Sequence, residues 1–170
     1  DFRYDVIFYE TDWSRRWILQ YSSYRPDMLT HAFGVNTDIF NKATFPSPVI
    51  WDYTTVGAFS KWKRQTKLLE KPGYKLAVGQ IQKNNIAESM DIVGNLLLGG
   101  VCISDQVLPE KLVEIYRASK TIYLPADVLG GGERAVWEAK SCGAFVQCEP
   151  DNPKLRELID SPVKDHLYYA

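Results

Sequence analysis

The sequence predicts an α/β fold: a parallel sheet with helices on both faces. Three observations point there. From Val49 onward, short apolar, β-branched runs alternate with single segments of helical spacing. Glycine or proline punctuates most of the changes. The run Thr121–Leu124 then leads through three glycines, 130 to 132, into strong helix formers that stop at Gly143. Strands joined by single helices imply right-handed crossovers, and so a parallel sheet buried on both sides.

The elements follow in order. Val49–Val56 is an apolar strand that ends at Gly57. Trp62–Glu70 is basic and helix-like, stopped by Pro72-Gly73. Tyr74–Val78 is a second strand. Asn84-Asn85 can cap a helix with Ile86, Met90, Val93 and Leu97 on one face, and Gly99-Gly100 ends it. Val101–Ile103 is the third strand. Pro109 suits the first position of a helix to about Ser119, with Leu112, Ile115 and Tyr116 facing inward. Thr121–Leu124 is the fourth strand and Ala144–Gln147 the fifth. Asn152-Pro153 opens a last helix through Ile159, with Pro162 just past its end. Ahead of this series, Tyr4–Tyr9 reads as a strand, Trp13–Tyr21 as a helix and Met28–Val35 as another strand. Asn36-Thr37-Asp38 is then a turn, and Pro46-Ser47-Pro48 a linker into the βα series.

The 170 residues suffice for one domain with a sizeable core. Apolar content of 45% and charged content of 24% are ordinary for a globular chain, which argues against wholesale disorder. A net charge of −1 gives no broad attraction to nucleic acid. No run is long and apolar enough to span a bilayer, and no signal-peptide pattern opens the chain. The chain starts at Asp1 rather than Met, the expectation for a piece of a longer protein. Cys102, Cys142 and Cys148 show no zinc spacing, and Cys102 and Cys148 fall in or beside core strands. A reducing, cytoplasmic setting is expected. With only two histidines, no metal site is expected, and no cofactor.

In open parallel sheets, ligands sit beyond the carboxyl ends of the strands. The turns at Gly57 and Gly130 both point there. A glycine turn entering a helix aims backbone N–H groups and the positive dipole end at one spot, which suits phosphate. Gly130, Gly131 and Gly132 would form such a turn, with Glu133 and Arg134 in the first helical turn and Glu138 just beyond it. Lys63 and Arg64 fall after the first strand, where cations would neutralise a diphosphate. Ordinary roles compete with these. Lys63 and Arg64 would suit a solvated basic face. Arg134 and Glu138, four apart, would suit a surface ion pair worth about 0.3–0.5 kcal/mol. Gly79 would serve as a turn residue and His31 as a packed ring. No G-x-G-x-x-G, P-loop lysine motif or receiver-type acidic pair occurs.

Read together, these pieces resemble the nucleotide-sugar-binding half of the group 1 glycosyltransferases, a Rossmann-like sheet forming one half of a GT-B fold. Phe33-Gly34-Val35-Asn36-Thr37-Asp38-Ile39-Phe40 is similar to that family's N-G-V-D-T-x-x-F crossover segment. Thr55-Val56-Gly57 with Lys63 resembles its V-G-R…K element, and Ala77-Val78-Gly79 its I-V-G element. Tyr123-Leu124-Pro125, the glycines and Glu138-Ala139-Lys140-Ser141-Cys142-Gly143 resemble L-P-S…G-x-x-x-x-E-A-M-A-C-G. The match covers most of residues 31–160.

The resemblance implies that Gly131, Gly132 and Lys63 hold the donor diphosphate and that Glu138 holds the ribose. Two positions depart from the pattern. Ala58 stands where the family has arginine, with Lys61 or Arg64 as substitutes. Gly130 stands where the family has the glutamate that contacts the donor sugar, with Glu133 as the substitute. Residues 1–30 would be the tail of an acceptor-type domain or an N-terminal extension, and 31–170 the nucleotide-sugar-binding domain. The expected function is binding a nucleotide-diphosphate sugar for transfer to an unknown acceptor, with an N-terminal acceptor domain missing from this chain. The alternatives are a non-catalytic nucleotide-binding or interaction module of the same fold, and a nucleotide-sugar epimerase.

Overall fold

The computed structural model describes residues 4–44 and 47–169. Its centre is a five-stranded, wholly parallel sheet. The strands are β3 (Trp51–Val56), β4 (Lys75–Val78), β5 (Cys102–Ser104), β6 (Ser119–Leu124) and β7 (Phe145–Cys148), in the order β5-β4-β3-β6-β7. β3 and β6 are neighbours with Tyr53 opposite Thr121. The chain runs outward from β3 to one edge, then crosses back through β6 to the other. The gap between the carboxyl ends of β3 and β6 is therefore where the connections diverge, and the turns at Gly57 and Gly130 meet there.

The sheet divides the core in two. On one face, α3 (Pro109–Arg117), α4 (Glu133–Ser141) and α5 (Pro153–Asp160) bury Tyr116, Ile122, Val136, Trp137 and Leu155. On the other, α2 (Ile86–Leu98) and a 3-10 turn over Gln65–Glu70 bury Phe59, Leu68, Leu96 and Tyr123. Each fully buried side chain of this size contributes roughly 1.5–3 kcal/mol. α4 is fixed most firmly, with Val136, Trp137 and Ala139 at 2% exposure or less and the Trp137 Nε1–H donating to Leu158 O at 3.1 Å. Lys140 extends from α4 to donate to the carbonyls of Leu158, Ile159 and Ser161, which the end of α5 leaves unpaired.

Four sequence expectations change. Residues 62–70 are not one helix: Arg64 is left-handed (φ 50°) and splits them into short 3-10 turns, 61–63 and 65–70. The buried Gln65 amide is the reason, since its Nε2 donates to the carbonyls of Gly57 and Ala58 and ties the loop back to the end of β3. α2 is rotated from its expected face. Ser89, Ile92 and Leu96 point inward, while Ile86, Met90 and Leu97 are more than half exposed. The Ser89 hydroxyl sets this rotation by donating to Phe59 O and accepting from Gln82 N. Cys102 is exposed rather than a core residue. On α3, Val113 and Tyr116 are the buried residues, with Leu112 and Ile115 half-buried.

The leading segment forms β1 (Ile7–Tyr9), α1 (Asp12–Tyr21) and β2 (Leu29–His31), with β1 and β2 parallel in a separate two-stranded sheet. Thr11 and Ser14 cap α1 reciprocally. The Glu157 carboxylate of α5 accepts from Asp12 N (2.5 Å) and Trp13 N (3.0 Å), which fixes this unit on the main domain. The 33–40 crossover and the stretch after α5 are laced together. Val35 N donates to Lys164 O, His166 N donates to Val35 O, and the Asp165 carboxylate accepts from the N–H and hydroxyl of Thr37. Of the expected linker 46–48, Pro46 lies outside the described residues.

Candidate functional site

The stem of the glycine turn is held from three sides. Asp127 N donates to Trp62 O, and Asn152 Nδ2 donates to the carbonyls of Ala126 and Asp127 while its Oδ1 caps α5. Gly130 packs directly on the Trp62 carbonyl, where a Cβ would overlap the oxygen. That contact leaves no room for the glutamate of the family pattern. Gly131 and Gly132 have φ of 66° and 114°, values that favour glycine, and Gly132 is the N-cap of α4. The turn delivers the first amides of α4 to the sheet edge beside β3.

Lys63 reaches this turn from the first 3-10 segment. Its chain lies over Gly57, 3.3 Å from a Cβ built there, and its Nζ is 3.3 Å from a Cβ built on Gly131. Gly57 itself closes β3, donating to Val78 O. Burial pulls the Lys63 ammonium below its ordinary pKa, against the raising effect of Glu133. Glu133 forms a mostly buried ion pair with Lys154 of α5. Burial raises its pKa, but Lys154, its own backbone N–H and Lys63 together bring it below the ordinary value. Arg64 goes elsewhere. Its guanidinium grips the Asp151 carboxylate at 2.7 and 2.9 Å.

Glu138 is not on the surface. It is 7% exposed, and its Oε2 accepts from the buried Tyr116 hydroxyl at 2.9 Å. Burial raises its pKa, only partly offset by Tyr116 and Arg134. Glu138 and Arg134 line a cleft of about 490 Å³ walled by Asn36, Phe40, Gln106 and His166. A second, more apolar cleft of about 180 Å³ adjoins it, between Gly57, Gly79 and Val107, and the two share Gln106, Val107 and Leu112. The two clefts and the glycine turn thus follow the carboxyl edge of the sheet. Another cleft, of about 420 Å³, lies at the opposite edge by Arg117 and Gly143. It lies at the carboxyl ends of α3 and α4 and is lined by Lys42, Arg117 and Lys120.

The structure therefore gathers Gly57, Lys63, Gly131, Gly132, Glu133, Arg134 and Glu138 along one edge, uses Gly130 to pack the turn, and turns Arg64 aside. Sequence reasoning missed Lys154, Gln106 and the Tyr116 hydroxyl. Lys154 carries a weak signal as the residue after Asn152-Pro153 at a helix start, where a cation opposes the dipole and calls for a partner. Among the described residues, no group of His, Cys, Asp and Glu is arranged to hold a metal, and no helix is long and apolar enough to cross a membrane.

Solved glycosyltransferases share this fold. The Anabaena protein Alr3699/HepE in complex with UDP and glucose has a TM-score of 0.71 at 14% identity, over 89% of this chain and 46% of that one. Sucrose-phosphate synthase from Thermosynechococcus elongatus has a TM-score of 0.73 at 19% identity, over 88% and 42%. A glycosyltransferase from Rickettsia africae has a TM-score of 0.69 at 14% identity, over 89% and 46%. The chain spans about half the length of these structures, and its fold is one Rossmann-like half of a GT-B glycosyltransferase. No protein-family model matches the sequence, nor does any curated protein.

Proposed function

We propose that this chain is the donor-binding half of a glycosyltransferase and holds a nucleoside-diphosphate sugar along the carboxyl edge of its sheet. The base lies in the apolar cleft by Gly57 and Gly79, the ribose on Glu138, and the diphosphate over Gly131 and Gly132 beneath Lys63. The observation that carries this reading is the position of Glu138, a buried carboxylate that opens onto a cleft just past the first turn of the glycine-led helix. A buried carboxylate is costly unless hydrogen-bonded. Tyr116 engages one oxygen, and vicinal ribose hydroxyls are suitable donors for the other.

The turn amides and Lys63 would stabilise the diphosphate leaving group as charge builds on it. Both are fixed before the reaction, so little reorganisation is needed. Arg64 has no part in this assignment, because Asp151 holds it. The β1-α1-β2 unit belongs, in this reading, to the acceptor domain. A two-stranded sheet is too small to be stable alone, and Phe8 on it and Val6 just ahead of it are at least half exposed. The neighbour complexes with UDP and UDP-glucose favour the same ligand class. A second reading, a nucleotide-binding module without turnover, is favoured by Gly130 and Ala58, which leave two family positions without side-chain function.

The test is a thermal-shift series with UDP, ADP, GDP and the matching nucleosides, since a ligand at 100 times its Kd stabilises by about 2.7 kcal/mol. Stabilisation by a diphosphate well beyond that by its nucleoside is expected. No shift with any diphosphate refutes the proposal. Sugar transfer by a longer protein containing this chain would separate the enzyme from the module.

A further inference from the structure

Glu133 stands out among the site residues, because it carries negative charge into a place suited to phosphate. A Cβ built on Gly131 would lie 3.2 Å from Glu133 Oε2 and 3.3 Å from Lys63 Nζ, so carboxylate and ammonium share the surface of the glycine turn. The carboxylate stands in the first turn of α4, where the helix leaves its amides unpaired, and it is ion-paired to Lys154. The Glu133 and Lys154 side chains are 13% and 11% exposed, so water screens the pair weakly. One carboxylate thus engages Lys154 and lies beside Lys63 at the glycine turn, on the surface that a phosphate placed there would use. Arg134 and the half-buried Glu10 complete the charged set, and Glu10, facing Glu133, is pushed up by burial and by that neighbour.

We propose that the Glu133 carboxylate competes with the donor's diphosphate for the glycine-turn cradle and must be displaced from it for the donor to bind. This inference rests on the assignment of the cradle to the diphosphate. It makes Glu133 a residue that sets affinity and selectivity. Every phosphate-bearing ligand bears the cost of breaking the Glu133 contacts, and a nucleoside that stops at the ribose does not. The displaced carboxylate leaves Lys154 beside the incoming phosphate, so the ion pair is exchanged rather than lost.

Glu133→Gln keeps the shape and removes the charge, and Glu133→Ala removes the reach as well. Isothermal titration of the chain and both variants with UDP, ADP and GDP, and with uridine, adenosine and guanosine, tests the idea. A carboxylate contact with charged donors is worth roughly tenfold or more in affinity. The variants should bind the preferred diphosphate tighter by that factor, with nucleoside affinity unchanged. The diphosphate should also raise their melting temperature more than it raises that of the parent, because it supplies Lys154 with a counter-charge. Equal or weaker diphosphate binding by folded variants overturns the inference and leaves the proposed donor site standing. Tighter binding of diphosphate and nucleoside alike also overturns it. No diphosphate binding by any of the three proteins removes the donor site, and this inference with it.

Discussion

Replacing Glu138 with glutamine separates a binding role from a structural one, because the two make opposite demands on the same carboxylate. Glu138 is 7% exposed and engages one partner, the Tyr116 hydroxyl. Burial is the largest influence on its pKa and raises it above the ordinary 4.5. A carboxyl whose folded pKa exceeds its unfolded one binds its proton more tightly in the fold. Its ionisation therefore costs stability as pH rises from about 4.5 through the raised value. Glu138→Gln keeps an oxygen for the Tyr116 hydroxyl and removes the buried charge. The variant should be at least as stable as the parent at pH 7, with the difference shrinking toward pH 4. Binding should move the other way. A hydrogen bond to a charged group is worth about 1.5–3 kcal/mol, or roughly 10- to 150-fold in affinity. The loss should fall on ribonucleotides, so the preference for a bound ribonucleoside diphosphate over its 2′-deoxy form should shrink. Urea melts at the two pH values and paired titrations measure both effects. A variant destabilised at pH 7 with an unchanged ribo-to-deoxy ratio would show that Glu138 only anchors Tyr116, and would refute the ribose assignment.

Lys63→Ala should weaken diphosphate binding while sparing nucleoside binding, and equal losses in titrations of a nucleoside diphosphate and its nucleoside would leave Lys63 only a packing role over Gly57. Gly130→Glu, which restores the family residue, should lower stability by about 1–3 kcal/mol through overpacking on the Trp62 carbonyl, as read from a chemical melt. Glu157→Gln should loosen the leading unit without disturbing the main sheet. Hydrogen exchange should then accelerate at Asp12 and Trp13, and unchanged protection would mean that other contacts hold α1.

The sequence was most legible where glycine, proline and periodic apolar residues set the answer. All five sheet strands, the helix opened by Gly132 and the cap at Asn152 could be read directly, because each rests on local backbone preference. The residues misread depend on partners distant in sequence. Ser89 turned α2 because its hydroxyl meets Phe59 O, thirty residues away. Gln65 broke the 62–70 helix by reaching back to Gly57 and Ala58. Arg64, a cation that spacing puts after the first strand, is paired with Asp151, 87 residues on. Glu138 sits at a position compatible with a surface pair with Arg134, and only the packing of α3 against α4 sends it inward to Tyr116. Spacing named the candidate residues, whereas tertiary contacts determined which of them faced the cleft.

The lacing between residues 33–37 and 164–167 has a mechanical meaning. Asn36 and His166 from that seam form part of the wall of the cleft that Glu138 opens onto. A Cβ on Gly34 would lie 2.7 Å from His166 Cα, so the two stretches have almost no slack between them. Both leads of the domain therefore pull on the same wall. A torque applied through β2, or a tug on the stretch after α5, would deform the Glu138 cleft before it strained the sheet. The converse follows from the same stiffness: a nucleotide wedged against Asn36 and His166 would brace the seam and resist rotation of the leads.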